Sequence, residues 1–419
     1  MGNTLENITK FYKEISRDLK TIFLRSSIAN FVINLNPYNS IYIVALGATG
    51  TQLGLLTSLS LALTAISSIA TGWLSDRVNR KTMFLIGAFI GILVPLTYYM
   101  AASLLWLIPA FVFAGFADGM IAPPWTAMYA NSIRNEHRGA VYGIANIFIL
   151  TPTLFAALIG GQIVDRYGGL TTEGIRPIYL LQLILLVAAW LSVYWRLSDR
   201  VPNQFERKLS IKTMIKDYKI VLKRRGVKAW VGMKSLGSVS IGLAGPFWIL
   251  FAATVHGASA ITISYMVTAR SLVNILTSPL SGRLTDSIGR KWMIIYGRIV
   301  MYIATIIFLV LGRQDIYLIA AWILMGFSDS TGVAWQAEEA ELVNHTQRAR
   351  MTALSVSAFN LLAVPASVLG GWLWDSINPL APFIVMTVID GCVRMPIVYK
   401  YVPDSKSLEA EAEPDGASL

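Results

Sequence analysis

The sequence contains twelve separate segments that are long and apolar enough to cross a lipid bilayer as helices. Each has roughly 20 mostly apolar residues, the length that a helix needs to span the hydrocarbon core while satisfying its own backbone. The segments lie near residues 22–47, 52–74, 82–101, 104–130, 139–163, 176–196, 228–254, 260–284, 292–311, 315–342, 349–373 and 381–401. This pattern predicts an all-α membrane protein with twelve transmembrane spans, numbered 1 to 12 below.

The composition agrees with this class and excludes several others. Of the 419 residues, 55% are hydrophobic and 14% are charged, against about 45–50% and about 25% in ordinary soluble domains. A net charge of +11 does not indicate nucleic-acid binding, because a basic nucleic-acid surface does not come with a mean hydropathy of +0.57. The single cysteine, Cys392, excludes an intrachain disulfide and a cysteine metal cluster. We therefore expect no metal and no cofactor.

The positive charges predict the orientation in the membrane. Lys and Arg next to short loops are retained in the cytoplasm. Most of the 35 Lys and Arg residues fall in the N-terminal segment, the loops after even-numbered spans and the C-terminal tail, while the opposite loops contain Arg166, Arg176 and Arg313. The sequence therefore predicts a multi-pass protein of the cell membrane with both termini in the cytoplasm.

The chain repeats itself with an offset of about 210 residues. The segment GWLSDRVNRK at 72–81 recurs as GRLTDSIGRK at 282–291, AGFADGM at 114–120 recurs as MGFSDST at 325–331, and GGQIVD at 160–165 recurs as GGWLWD at 370–375. Six spans in each copy indicate a parallel duplication. The predicted organisation is an amphipathic cytoplasmic helix at 1–20, six-helix bundles at 21–196 and 227–402, a basic cytoplasmic linker at 197–226 and an acidic cytoplasmic tail at 403–419.

The loop between spans 2 and 3 resembles the most diagnostic motif of the major facilitator superfamily, G-x-L-x-D-R-x-G-R-[RK]. The matching residues are Gly72, Leu74, Asp76, Arg77, Arg80 and Lys81, and in the second copy Gly282, Leu284, Asp286, Gly289, Arg290 and Lys291. Asn79 replaces the second glycine, and Asn tolerates the left-handed conformation expected there. Two motifs of drug/proton antiporters, in spans 4 and 5, are absent, which weakens that subfamily without excluding it.

The resemblance implies the major facilitator fold, in which two pseudo-symmetric six-helix bundles rock around a central site. It also implies a cytoplasmic gate, in which Asp76 and Asp286 each hold the N-terminus of a helix in the opposite half. Glu338 and Glu341, near the end of span 10, pair with Arg290 or Lys291 in this interpretation, or act in substrate release. The alternative for the basic residues of the loops is that they only fix the topology.

Charged residues inside spans are functional candidates, because a charge near mid-bilayer is costly unless it is paired or faces water. Asp118 and Asp329 lie about 14 residues, or roughly 21 Å, into spans 4 and 10. The resemblance places both at the central cavity, where an acid is a proton or cation site; the alternative is a carboxylate that is hydrogen-bonded for structural reasons. Arg270 in span 8 is predicted to pair with Asp329, either as a structural contact or as a pair that opens when a proton or substrate arrives. Asp390 and Arg394 are spaced to form an i,i+4 pair in span 12.

Neutral polar and aromatic residues complete the predicted binding site. Asn30, Asn34 and Tyr38 form one stripe on span 1, which suits a polar organic solute or only hydrogen-bonds neighbouring helices. Trp125 and Trp335 add aromatic surface, which favours an amphipathic or aromatic substrate, and Gln336 is grouped with them.

The predicted function is secondary active transport of a small organic solute by alternating access, coupled to protons, with a preference for export of amphipathic or cationic compounds. Proton coupling requires Asp118 or Asp329 to take up a proton at an accessible pH. Uptake of a polar organic solute and facilitated diffusion are the alternatives. No G-x-x-x-x-G-K-[ST] phosphate loop occurs, so ATP is not expected. An enzyme or a sensor is a remote alternative; the expected partners are the solute, protons and lipid, not nucleic acid, and the protein is expected to be monomeric.

Overall fold

The structure, a computed structural model, describes residues 16–74, 79–131, 149–198, 219, 222–224, 226–332, 334–335 and 348–401. Within these ranges the regular structure is helical and no strand occurs. Nine helices in these ranges are long and apolar enough to cross a membrane, and they correspond to spans 2, 3, 4, 6, 7, 8, 9, 11 and 12. The all-α prediction is confirmed.

Seven α-helices make up the described part of the first sequence repeat. They are α1 (Arg17–Leu35), α2 (Asn39–Ala45), α3 (Gly50–Leu74), α4 (Arg80–Met100), α5 (Leu107–Asn131), α6 (Thr153–Arg166) and α7 (Thr172–Arg196). The second repeat contains α8 (Val227–Ala244), α9 (Trp248–Thr254), α10 (Ala260–Ile288), α11 (Arg290–Leu311), α12 (Asp315–Ser330), α13 (Arg348–Ser376), α14 (Ala381–Val388) and α15 (Met395–Tyr401), with a π-helix at Ile389–Arg394 between the last two.

Three of the twelve predicted spans are not among the nine. Span 1 is broken between Leu35 and Asn39, because Pro37 lacks an N–H and disfavours helical geometry at Asn36, whose φ is −124° and ψ 75°. Spans 5 and 10 are described only in part, since α6 begins at Thr153 and α12 ends at Ser330. The described residues are therefore consistent with twelve spans and show nine of them in full length.

The chain divides into two compact units. The first contains residues 1–208 and Ser259–Thr268, and the second contains Leu209–Ala258 and Ala269–Leu419, so the first residues of α10 group with the first unit. The helix α1 begins at Arg17 and continues to Leu35, which joins the end of the predicted amphipathic segment to span 1. Residues 1–15, most of the predicted linker and the tail lie outside the described residues, and those domain boundaries stay predictions.

Each unit contains a close glycine contact between the helices of its second and fourth spans. In the first unit, Gly115 of α5 lies against the backbone carbonyl of Ser60 in α3. In the second unit, Gly326 of α12 lies against the backbone carbonyl of Arg270 in α10. A Cβ on either glycine would overlap that carbonyl oxygen, so only glycine permits the helices to approach so closely.

A second pair of glycines repeats the same scheme. Gly160 of α6 lies against the carbonyl of Leu35, and Gly370 of α13 lies against the carbonyl of Leu243 in α8. Both pairs of glycines are about 210 residues apart, as in the sequence repeat. The repeat therefore extends to helix packing, and it makes Ser60 the positional counterpart of Arg270.

Candidate functional site

The first unit contains a cavity of about 340 Å3 between α1, α4, α5 and α7, within the size range of small-molecule sites, about 300–1,000 Å3. Most of its wall is apolar and comes from residues such as Val32, Ala88, Ile121 and Leu186. The polar and aromatic side chains that line it are Arg25, Asn36, Asn39, Phe84, Tyr98, Asp118, Tyr179, Gln182 and Trp190.

Asp118 lies near the middle of α5, and its side chain is exposed to this cavity. Among the residues that the structure describes, none forms a hydrogen bond or an ion pair with its carboxylate. The contact of Gly115 with α3 fixes the adjoining turn of α5. Asp118 is thus an acid on a closely packed helix that has no counter-ion among the described residues.

Arg25 of α1 is the other charged residue that lines the cavity. Its guanidinium carbon lies 4.5 Å from the ring centroid of Trp125 and 4.9 Å from that of Phe84, and these two rings stack at 4.6 Å. Such cation–π contacts stabilise a desolvated guanidinium, and no carboxylate of a described residue forms an ion pair with Arg25. Trp125 is two helical turns beyond Asp118 on α5, about 10 Å along the helix axis.

Asn39, Tyr98 and Tyr179, which all line the cavity, belong to one hydrogen-bonded network with Tyr42. The Tyr179 hydroxyl donates to Asn39 Oδ1 at 2.7 Å, and Asn39 Nδ2 donates to the Tyr98 hydroxyl at 3.3 Å. The Tyr42 hydroxyl donates to the Tyr98 carbonyl at 2.8 Å, and the rings of Tyr98 and Tyr179 stack at 4.8 Å. Sequence reasoning missed this network because the helix is interrupted at Pro37, which moves Asn39 off the helical stripe predicted for span 1.

The predicted stripe of span 1 has other partners. Asn30 Nδ2 donates to the Ser26 carbonyl at 2.8 Å, and Asn34 Nδ2 donates to the Asn30 carbonyl at 2.9 Å. The hydroxyl of the buried Tyr38 donates to the Ala260 carbonyl at 2.9 Å. None of the stripe residues lines the cavity. Asn30 and Asn34 thus bond carbonyls of their own helix, and Tyr38 alone of the three reaches another helix, as the alternative interpretation expects. A role of the stripe in binding stays a prediction.

In the second unit, Arg270 and Asp329 form a two-point ion pair. Arg270 Nε lies 2.6 Å from Asp329 Oδ2, and Nη2 lies 3.1 Å from Oδ1. Each side chain remains 35% exposed, and the guanidinium carbon lies 5.3 Å from the Trp322 ring centroid. The predicted pairing is confirmed. Because Ser60 is the counterpart of Arg270, the equivalent acid of the first unit, Asp118, has no such partner.

The predicted pair of Asp390 and Arg394 is also confirmed, at 2.8 Å, within the π-helix. It belongs to a larger buried network, since Arg298 Nη2 lies 2.7 Å from Asp390 Oδ2 and the Tyr302 hydroxyl donates to the same oxygen at 2.6 Å. Sequence reasoning missed the two α11 residues, although an arginine and a tyrosine spaced i,i+4 in an apolar span were a usable signal.

Arg394 makes this network continuous with the core of the second unit. Its Nε donates to the Met233 carbonyl at 3.1 Å, and its guanidinium carbon lies 4.5 Å from the Trp335 ring centroid. A Cβ at Gly237 would lie 2.5 Å from that carbon, so the glycine leaves room for the arginine. Trp335 also packs 5.9 Å from Trp230. It contributes to a core cluster rather than to the cavity of the first unit.

The gate residues at the start of α4 have structural partners. Asn79 has φ −50°, and its Oδ1 accepts from the N–H groups of Lys81 and Thr82 at 2.9 and 3.3 Å. The expectation that Asn79 is left-handed is therefore wrong. This residue is instead the N-cap of α4. Lys81 Nζ donates to the carbonyls of Tyr194 and Leu197 at 3.0 and 2.6 Å, and so ties α4 to the C-terminal end of α7.

The second copy of the loop differs. Gly289 has φ +95°, which favours glycine, and precedes Arg290 at the start of α11. Lys291 Nζ lies 4.9 Å from the Tyr399 ring centroid. Gly72 and Gly282 lie in α3 and α10. The side chain of Asp286 is not described, and four further gate candidates and one binding candidate lie outside the described residues: Asp76, Arg77, Glu338, Glu341 and Gln336.

Comparison with known proteins assigns the family. The sequence profile of the Major Facilitator Superfamily matches residues 22–240 and again residues 235–417. The chain therefore belongs to the Major Facilitator Superfamily. The match and the apolar helices indicate a multi-pass membrane protein, and the relatives named below are transporters, not enzymes.

Individual relatives are more distant. The chain is 27% identical over 265 residues to an MFS-type transporter of Methanocaldococcus jannaschii, which covers 62% of this chain and 66% of the relative. It is 25% identical over 277 residues to the multidrug resistance protein MdtG of Serratia proteamaculans, covering 63% of this chain and 64% of the relative. The match spans less than two thirds of the length of either relative.

Solved structures share the fold. The nucleoside transporter NupG has a TM-score of 0.72 at 12% identity, over 92% of this chain and 99% of that chain. A POT family transporter in complex with 5-aminolevulinic acid has a TM-score of 0.69 at 14% identity, over 91% of this chain and 95% of that chain. At these identities the likeness shows the fold alone.

Proposed function

We propose that the protein is a secondary active transporter that exports an amphipathic organic compound by alternating access and couples this movement to protons. The observation that carries the proposal is the carboxylate of Asp118, which has no partner in the part of the chain that the structure describes and is exposed to a cavity with an apolar and aromatic wall.

Asp118 is the group best placed to take up and release the coupling proton. A charged carboxylate within a span is costly unless it is paired or faces water, so substrate, water or a proton has to compensate it at each stage of a cycle. Arg25 is the other charged side chain lining the cavity, about two helical turns away. Asp329 is already compensated by Arg270, and we assign that pair to positioning the helices α10 and α12.

The cavity wall and the relatives support the proposed substrate class and direction. The rings of Phe84, Trp190 and Tyr179 line the cavity together with the aliphatic side chains of other residues. Such a wall favours an amphipathic compound. MdtG is named as a multidrug resistance protein, in keeping with export. A cationic group on the compound would complement Asp118.

We further propose that the protein is a monomer in the cell membrane and uses no ATP. We also propose that both termini lie in the cytoplasm, because most Lys and Arg residues fall in the N-terminal segment, the loops after even-numbered spans and the C-terminal tail. The proposed cytoplasmic gate is the pair of loops that contain Asp76 and Asp286.

Uptake of a polar organic solute is the second candidate. The amides of Asn36, Asn39 and Gln182 all line the cavity and could bind hydroxyl or carbonyl groups. Gln182 Nε2 already donates to the Val32 carbonyl at 2.8 Å, and Asn39 is engaged by two tyrosines. The amides are therefore largely satisfied by the protein, which favours the amphipathic substrate.

The test is proton flux in proteoliposomes. The protein is reconstituted, a pH gradient is imposed, and internal pH is followed while lipophilic cations, sugars, amino acids and organic acids are added separately. We expect an amphipathic cation to trigger proton movement that is lost in Asp118→Asn. The matched control is Asp165→Asn, which removes an exposed acid at the end of α6 and should leave the flux unchanged. Solute equilibration without proton movement in the unmodified protein would instead establish facilitated diffusion.

A further inference from the structure

The two units place an arginine on equivalent tryptophans in different ways. Trp125 and Trp335 correspond in the sequence repeat. In the second unit, the guanidinium carbon of Arg394 lies 4.5 Å from the ring centroid of Trp335. In the first unit, the guanidinium carbon of Arg25 lies 4.5 Å from the ring centroid of Trp125. The two arginines come from different spans, 12 and 1, but both form a cation–π contact with the equivalent tryptophan.

Only the second of these arginines has a counter-ion in the described structure. Arg394 pairs with the fully buried Asp390, which also binds Arg298 and Tyr302 of α11. The repeat counterpart of Arg298 in α4 is Ala88, a small side chain that lines the cavity. The part of α7 that lines the cavity, from Tyr179 to Trp190, contains no acidic residue.

The cavity of the first unit thus lies where the second unit holds an ionic network. Arg25, which lies on Trp125, has no carboxylate partner among the described residues. Asp118 lies about two helical turns from Trp125 on α5 and has no cationic partner among them. Two uncompensated charges of opposite sign at separate points of one apolar cavity are complementary to a ligand that carries both signs, because burying either charge alone is costly.

We propose that this cavity binds an elongated organic zwitterion. Its anionic group binds Arg25 in the place that the Asp390 carboxylate holds at Arg394, and its cationic group binds Asp118. An apolar or aromatic middle section, about 10 Å long, packs against the rings and aliphatic side chains of the wall. This substrate class rests on the proposed function, and it adds to it an anion-binding residue, Arg25.

The test is equilibrium binding to the full chain in nanodiscs, which does not require transport. Three naphthalene probes of equal length are compared: one with a trimethylammonium group at one end and a carboxylate at the other, one with trimethylammonium alone and one with carboxylate alone. We expect the zwitterionic probe to bind at least tenfold more tightly than either singly charged probe.

The variants assign each end of the probe. Arg25→Gln should weaken the zwitterionic probe about tenfold and leave the cationic probe unchanged, Arg25→Lys should restore much of the loss, and Asp118→Asn should weaken both probes that carry trimethylammonium. Arg166→Gln, which removes an exposed arginine at the end of α6, is the matched control. Ala88→Met leaves both charges in place and narrows the cavity, so it should weaken the zwitterionic probe even if Arg25→Gln proves unstable.

The outcomes separate this inference from the proposed function. If the cationic probe binds as tightly as the zwitterion and neither Arg25→Gln nor Ala88→Met changes binding, the inference is overturned, while Asp118-dependent proton flux in proteoliposomes would still support transport. If the zwitterion shows the expected pattern of binding but no compound moves protons, the ligand class stands and the proton-coupled function fails.

Discussion

At the scale of single residues, one position accounts for the difference between the two intramembrane acids. The backbone carbonyls of Ser60 and Arg270 each lie against a glycine, Gly115 and Gly326 respectively. Each glycine is three residues before an aspartate, Asp118 or Asp329. The serine side chain is too short and uncharged to compensate Asp118, whereas the arginine reaches Asp329 at two points. The same helix contact therefore yields an unpaired acid in one unit and an ion pair in the other.

This difference predicts that the same substitution, Asp to Asn, affects stability differently at the two positions. Asp329→Asn leaves Arg270 without a counter-ion and should lower the free energy of unfolding by about 1–2 kcal/mol, between the values for exposed and buried pairs because both side chains are partly exposed. Asp118→Asn removes an unpaired charge and should leave stability unchanged or raise it. Thermal unfolding in detergent micelles measures both.

A double variant provides the control. Arg270→Gln combined with Asp329→Asn removes both charges and should recover part of the loss seen in Asp329→Asn alone. Equal destabilisation by Asp118→Asn and Asp329→Asn would show that the ion pair contributes nothing specific.

His256, in the turn after α9, predicts a pH dependence. Burial lowers its pKa below the ordinary value, and the charge of Arg313 lowers the pKa further, against the opposing effect of the hydrogen bond between Nε2 and the Phe308 carbonyl at 2.8 Å. The unfolded chain therefore takes up this proton first as pH falls, so stability is lost from about pH 6.5 downwards, through the lowered pKa of the folded state.

The measurement is the unfolding temperature at pH 7.5 and at pH 5.5. His256→Gln should reduce the acid-induced loss of stability. Arg313→Gln removes one cause of the lowered pKa and should give an intermediate response. An unchanged acid response in His256→Gln would assign the pH dependence to other groups.

At the scale of helices, close packing depends on a few glycines that admit a neighbouring backbone. Gly326→Ala should destabilise the protein strongly, because its Cβ would overlap the Arg270 carbonyl and push α12 from α10. Gly282→Ala is the matched control in the same unit, since nothing lies within 4 Å of a Cβ there. It should be neutral, or stabilising by up to about 1 kcal/mol, from the higher helix propensity of alanine.

Unfolding temperatures and yields of folded protein compare the two variants. Similar behaviour of Gly326→Ala and Gly282→Ala would mean that α12 can shift without cost, which would contradict the packing described for the second unit.

Hydropathy was sufficient to predict the helices, because the bilayer admits few other structures, but the local geometry at helix ends was harder to predict. Span 1 breaks at Pro37, a consequence of a missing N–H that a window average does not register. Asn79 proved to be an N-cap instead of a left-handed residue. The π-helix at Ile389–Arg394 gives no hydropathy signal, and its Asp390 contacts Arg298 of another helix.

At the scale of the whole molecule, depth in the span helped to predict one contact between charges on different helices, that of Arg270 with Asp329, but not the contact of Arg298 with Asp390. The prediction rests on the similar depths of Arg270 and Asp329 and on the expectation that spans 8 and 10 are neighbours, and the structure confirms the contact. The cavity of the first unit could not be predicted in this way, because it depends on what four helices fail to fill. A single small residue, Ala88, in place of the arginine at position 298 of the second copy contributes to that space.

The two units therefore combine one packing scheme with two kinds of interior. The first encloses a cavity with separated charges, and the second holds its charges in pairs and networks. A transporter built in this way has its candidate ligand and proton groups in one unit, while the second unit retains the contacts that make it a stable scaffold.

The contact between Gly326 and Arg270 also bears on how such a protein evolves. The atoms nearest to the glycine are main-chain atoms of its partner, so this contact does not require a particular side chain on the partner residue. After a gene duplication, one copy can exchange serine for arginine at this position while the inherited architecture stays intact. The two halves can then differ in the charge that they hold beside the aspartate, while both keep the same close contact between two helices.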